Sequence, residues 1–137
     1  MHPRRHKFMN TFKRLITSIS IVISALLTPV SSAYSTNISA EDLNKLEDGN
    51  YVLVDVRTAN EYQQGYIPGA VNLPLQALPE RLPQLKDKEQ KLVVYCRSGR
   101  RAAKAINYMH EQGYKNIVHL EGDYLKWVEQ GRPVSTP

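Results

Sequence analysis

Two apolar runs dominate the pattern of hydrophobic and polar positions: Tyr51-Val52-Leu53-Val54-Asp55-Val56 and Lys91-Leu92-Val93-Val94-Tyr95-Cys96. Each is short, rich in β-branched residues and bounded by turn-forming segments, the signature of strands buried on both faces of a parallel sheet. Helical spacing follows both. Thr58-Ala59-Asn60-Glu61 is a capping box that opens a short helix through Tyr62, with Gly65 as its stop. After the second run, Ala102, Ala105, Ile106 and Met109 recur on one helical face until Gly113. Weaker signals fill the rest. Tyr34–Ile38 reads as an extended lead-in, and Ser39-Ala40-Glu41-Asp42 caps a helix that shows Leu43 and Leu46 on one face and stops at Gly49. Ile67-Pro68-Gly69 turns into a brief strand, 70–73, and Pro74 opens a helical stretch, 75–82, bounded by Pro83. Asn116–Leu120 predicts a strand, and Tyr124, Trp127 and Val128 line a last helix closed by Gly131. Alternating strands and helices with short connections predict an α/β domain around a mainly parallel sheet.

The first 33 residues break this pattern. Arg4, Arg5, Lys7, Lys13 and Arg14 precede an apolar run, Leu15–Leu27, and Ser31-Ser32-Ala33 follows Pro29. A basic start, an apolar centre and small residues before a cut after Ala33 make a secretory signal peptide, 1–33, leaving 34–137 as one domain. The competing reading is a retained anchor. Thirteen residues at 1.5 Å per residue span about 20 Å, short of a hydrocarbon core of ~30 Å. Cleavage, a periplasmic or secreted location and no stable membrane association afterwards are therefore expected.

Charge adds one exclusion. The whole chain carries 18 Lys+Arg against 13 Asp+Glu, but five basic and no acidic residues fall in 1–33. The remainder holds 13 of each sign, so the basic balance belongs to the leader and gives no support to nucleic-acid binding. Monomer is the default for a small domain so balanced.

The candidate chemistry sits at the end of the second run. Cys96, the sole cysteine, leads through Arg97-Ser98-Gly99-Arg100-Arg101 into a helix. It cannot form an internal disulfide, and His110 and His119 alone make no zinc ligand set. A thiol there is either an inert core residue or a working nucleophile. Loop N–H groups, the positive end of the helix dipole and three arginines all favour an anion, and so favour the working thiolate. Gly99 is suited to a positive φ. Trp127 and the tyrosines are expected in the core or at its rim.

Two stretches together resemble the rhodanese (sulfurtransferase) superfamily: the long signature from Asp55-Val56-Arg57 through Glu61-Tyr62 to Gly65-Tyr66-Ile67-Pro68-Gly69-Ala70-Val71-Asn72-Leu73-Pro74, and the loop Cys96–Arg101. The resemblance covers most of residues 38–133. With its leader, the chain is similar to small single-domain periplasmic rhodaneses of the phage-shock type. It implies a single rhodanese-like α/β domain whose mainly parallel five-stranded sheet is flanked by helices on both faces. Tyr66 stands where the family usually has His, and Asp123 where a second Gly often follows Gly122. The first departure is expected to be remote from the sulfur and the second to alter the turn into the last helix, neither of them touching the Cys96 loop.

The resemblance also implies an activity. Related phosphatases and arsenate reductases carry one more residue between the cysteine and the closing arginine, whereas the four residues between Cys96 and Arg101 suit a single sulfur atom. Relatives that use mercaptopyruvate have no cations in this loop, so three arginines fit thiosulfate. The implied function is a thiosulfate sulfurtransferase with Cys96 as nucleophile and persulfide carrier, needing no metal or organic cofactor, and with cyanide or a thiol as acceptor. Arg97 and Arg101 are the implied anion binders, with Arg100 either a third or a solvated charge. Ser98 and Gly99 shape the cradle. Asp55 and Arg57 either brace it or form a structural ion pair. The alternatives from other classes are a persulfide carrier or partner-binding module, and a thiol-redox or phosphatase-like enzyme. The short loop opposes the phosphatase, and the missing second cysteine opposes a dithiol cycle.

Overall fold

The computed structural model describes residues 36–137; the expected leader, 1–33, lies outside the described residues. Five strands form one sheet: β1 (Thr36–Ile38), β2 (Tyr51–Asp55), β3 (Val71–Asn72), β4 (Lys91–Tyr95) and β5 (Ile117–Leu120). Their order across the sheet is β1-β5-β4-β2-β3, and every pairing is parallel. Five α-helices connect and flank them: α1 (Ala40–Leu43), α2 (Ala59–Gln64), α3 (Leu78–Arg81), α4 (Arg100–Glu111) and α5 (Asp123–Glu129).

The two apolar runs are the two central strands, β2 and β4, paired from Tyr51–Lys91 to Asp55–Tyr95. Alternate residues face opposite layers. Leu92, Val94 and Cys96, with Val54 and Val56, pack against Ala102, Ala105, Ile106 and Met109 of α4 and against Leu78 and Leu82. Leu53, Val93, Tyr95, Val118 and Leu120 face the other way, onto Leu43 and Trp127. Burying each large aliphatic side chain here contributes roughly 1.5–3 kcal/mol. Both faces are covered, so the runs need no polar side.

Three expectations change. The first helix ends at Leu43, well before Gly49, although Ser39 caps it as expected by accepting the Asp42 N–H at 3.1 Å. The stretch 75–82 is not one helix: 3₁₀ turns at Leu75–Ala77 and Leu82–Gln84 flank the single turn of α3. Pro79 and Pro83 each lack the N–H that a continuous helix needs. Val128 is 46 % exposed and does not line the core, whereas Trp127 is buried and donates its indole N–H to the Pro133 carbonyl at 2.7 Å. The capping box of α2 closes on both legs, Thr58 Oγ1 accepting from the Glu61 N–H and Glu61 from the Thr58 N–H. No helix among the described residues is long and apolar enough to cross a membrane.

Topology places the site. From β2 the chain moves outward to β3, and from β4 it moves the opposite way to β5. The carboxyl ends of these adjacent strands thus flank a switch in strand order, where open α/β sheets form their ligand crevice. Cys96 directly follows β4.

Candidate active site

β4 delivers Cys96 onto the face covered by α4, buried to 1 % exposure. The chain then bends through Arg97-Ser98-Gly99 before α4 begins at Arg100. Gly99 makes the turn possible: it is left-handed at φ 101°, a conformation that L side chains rarely adopt. Its N–H donates to the Cys96 Sγ at 3.0 Å. The thiol therefore sits in a loop that points a backbone donor at the sulfur and opens onto the N-terminus of a 12-residue helix. Both features favour negative charge on that sulfur or on an anion beside it. Arg97 and Arg100 are exposed on the rim, and neither makes an ion pair among the described residues.

This geometry has a counterpart among known proteins. Residues 39–130 match the family model of the rhodanese-like domain.

The chain belongs to the rhodanese-like family.

A protein of Allochromatium vinosum named a sulfurtransferase is 36 % identical over 102 residues, which cover 73 % of this chain and 94 % of that protein. A tRNA uridine(34) hydroxylase of Sodalis glossinidius is 34 % identical over 106 residues, but only 30 % of that protein is matched. Among solved structures, a rhodanese-related protein of Thermoplasma volcanium superposes with a TM-score of 0.65 at 31 % identity, covering 74 % of this chain and 99 % of that one. The single rhodanese-like domain and its five-stranded sheet are thus shown by both sequence and shape.

Within this rhodanese-like domain the expected site residues separate into three groups. Cys96, Ser98 and Gly99 form the loop itself, with Arg97 and Arg100 on its rim. Arg101 is tied elsewhere: its guanidinium grips Glu61 of α2 at 2.6 and 2.9 Å. That pair holds the Glu61 carboxyl well below its usual range, at about 2, chiefly through the Arg101 hydrogen bonds. Arg101 is correspondingly raised, the Glu61 bond being the main cause. One expected anion binder therefore already holds a carboxylate, and links α2 to α4 beside the loop.

Asp55 and Arg57 form a buried pair. The Arg57 guanidinium meets both Asp55 oxygens at 2.6–3.0 Å and donates to the Gly65 carbonyl at 2.7 Å. Burial works against the Arg57 charge, but the hydrogen bond and charge of Asp55 outweigh it and raise its basicity. The guanidinium carbon lies 3.9 Å from the centroid of the Tyr124 ring. Neither residue hydrogen-bonds the Cys96 loop: the pair ties the end of β2 to the end of α2. Tyr66, the first departure from the family pattern, stacks on Tyr62 at 4.1 Å between centroids and bridges to Ser135.

The second departure proves closer to the sulfur than expected. Asp123 is only 2 % exposed, and its Oδ1 accepts the Cys96 N–H at 2.8 Å. His119 Nε2 lies 3.0–3.1 Å from both Asp123 oxygens; because a carboxylate only accepts, that nitrogen is the donor. Sequence reasoning placed His119 at a strand end and Asp123 in a turn, without joining either to the cysteine. The signal was the replacement itself, a charged residue at a position where the family tolerates a residue with no side chain.

Proposed function

We propose that this domain is a thiosulfate sulfurtransferase working by double displacement through a persulfide on Cys96. The observation that carries the reading is the Gly99 N–H on the Cys96 Sγ, inside the four-residue loop, Cys96 to Gly99, between β4 and the N-terminus of α4. In the first half-reaction the Cys96 thiolate attacks the outer sulfur of thiosulfate. A new S–S bond forms, the old one breaks, and sulfite leaves with the electron pair. Arg97 and Arg100 draw the dianion to the rim, while loop N–H groups hold the charge on the persulfide. In the second half-reaction cyanide or a thiolate attacks the terminal sulfur and the Cys96 thiolate is released. In each half-reaction the nucleophile supplies the electron pair of the new bond to sulfur and the leaving group takes the pair of the old one, so no cofactor is called for. The similarity to a protein named a sulfurtransferase supports the reaction class, and the two exposed, unpaired arginines of the rim, Arg97 and Arg100, support an inorganic dianion as donor.

We propose further that the leader directs export, so that the mature enzyme works in the periplasm or outside the cell as a monomer. What supports export is the basic, apolar and small-residue order of 1–33, and what supports a monomer is the small size and balanced charge of the rest.

Intact mass after thiosulfate, with and without cyanide, tests the reading. One sulfur added to wild type and none to Cys96→Ser, removed by cyanide with thiocyanate formed catalytically, is the expected result. A persulfide that forms but turns over slowly with cyanide replaces the enzyme with a persulfide carrier for a protein thiol. No adduct on wild type overturns both.

A further inference from the structure

The start of α5 is built as a clamp on the Cys96 loop. Gly122 and Asp123 are both left-handed, at φ 75° and φ 55°, and Asp123 is the sole non-glycine with positive φ among the described residues. This bend aims the first N–H groups of α5 back at the loop: Tyr124 donates to the Cys96 carbonyl at 3.0 Å and Leu125 to the Arg97 carbonyl at 3.1 Å. The Asp123 side chain completes the clamp by accepting the Cys96 N–H. Both backbone groups of the nucleophile are thereby fixed from one element.

The clamp carries a charge. A β-carbon on Gly99 would stand 3.0 Å from Asp123 Oδ2 and 3.5 Å from the His119 ring, so carboxylate and imidazole lie directly under the loop. Arg101 is paired with Glu61, which leaves Arg97 and Arg100 as the unpaired cations of the rim and Asp123 as a buried carboxylate bonded to the backbone of the nucleophile. A carboxylate only repels an incoming anion. A backbone acceptor alone would not explain a charge at this place, because Asn accepts the same N–H and tolerates the same φ.

We propose that Asp123 is a positioning and charge-selectivity residue of the Cys96 cradle: it fixes the backbone of the nucleophile and, through its negative charge, restrains the site's affinity for multiply charged anions. Its partner His119, 22 % exposed at the side chain, holds the carboxylate in place. The selectivity claim rests on the anionic donor proposed above, but it concerns the field at Cys96 and is readable without sulfur transfer.

The test compares wild type, Asp123→Asn and Asp123→Gly in the alkylation of Cys96 by iodoacetate and by iodoacetamide. Both reagents need the thiolate, so the ratio of their rates reports the charge preference of the cradle and not the reactivity of the thiol. Asp123→Asn is expected to raise that ratio roughly 3- to 10-fold at low ionic strength, with the gain shrinking in high salt. Asp123→Gly raises it similarly, while its kcat for thiosulfate falls at least about fivefold below that of Asp123→Asn, because the Cys96 N–H has lost its acceptor. Asp123→Asn also lowers the KM for thiosulfate. An unchanged ratio in Asp123→Asn overturns the charge role, whether or not Asp123→Gly folds. A Gly variant that matches the Asn variant in kcat overturns the positioning role and leaves Asp123 a turn residue. If even wild type takes up no sulfur, the sulfurtransferase reading fails while the alkylation ratio still decides the charge role.

Discussion

Glu61 and Arg101, forty residues apart, meet in a fork at 2.6 and 2.9 Å while Glu61 also caps its own helix. The carboxyl pKa is depressed to about 2 from an ordinary 4.5, so the native state gains stability above the unfolded value that is lost as pH falls toward 2. Both side chains are more than a quarter exposed, which screens the pair and limits its worth to about 1–2 kcal/mol. Glu61→Gln should lower unfolding free energy by that amount at neutral pH, and denaturant titrations should show the gap closing below about pH 4. A gap independent of pH would assign the loss to packing.

Gly99 has no room to vary. Alanine there meets a left-handed φ of 101° and an Asp123 oxygen at 3.0 Å. Strain of this kind costs about 1–3 kcal/mol, or the loop moves and the Gly99 N–H leaves the sulfur. Gly99→Ala should therefore lower the urea midpoint, or cut the rate of persulfide formation at an unchanged midpoint; a variant normal in both would remove the strain argument.

Arg57→Ala strands the Asp55 carboxylate, fully buried, without its cation. Breaking a buried pair from one side costs about 3–5 kcal/mol, measurable by denaturant unfolding. Arg57→Lys should recover little, because a single ammonium cannot bridge Asp55 and the Gly65 carbonyl as the planar fork does. Full rescue by lysine would show that only charge matters.

Arg97 and Arg100 stand free on the rim, so replacing either with alanine should change stability by less than about 0.5 kcal/mol. The KM for thiosulfate should rise severalfold, and more so at low salt than at high. Steady-state kinetics at two ionic strengths separates this from a general loss of the site. If only Arg97 responds, Arg100 is a solvated charge.

What the sequence discloses here tracks the range of the interaction. The β2 and β4 runs, the α2 capping box and the α4 stripe are local patterns, and each stands in the fold where the spacing puts it. Cys96 at a strand end and Gly99 at positive φ are local too. The 75–82 helix failed because Pro79 outweighed the apolar spacing around it. Glu61 on Arg101 and Asp123 on Cys96 span 40 and 27 residues, and no periodicity encodes them. Glu61 reads as a cap, which it is, and nothing near it announces a second partner. Asp123 shows itself only as a departure from a family pattern, and that pattern has no means of saying which atom the new carboxylate reaches.

Strand β4 alternates between two apolar layers: Leu92 and Val94 go one way, Val93 and Tyr95 the other. The chemistry therefore depends on parity. Deleting one residue from this run would exchange the layers with little loss of hydrophobic content, yet it would turn the thiol away from α4, from the Gly99 N–H and from the crevice. The domain's reactivity is thus written as an even number of steps from Leu92 to Cys96, a constraint that composition and burial alone would never register.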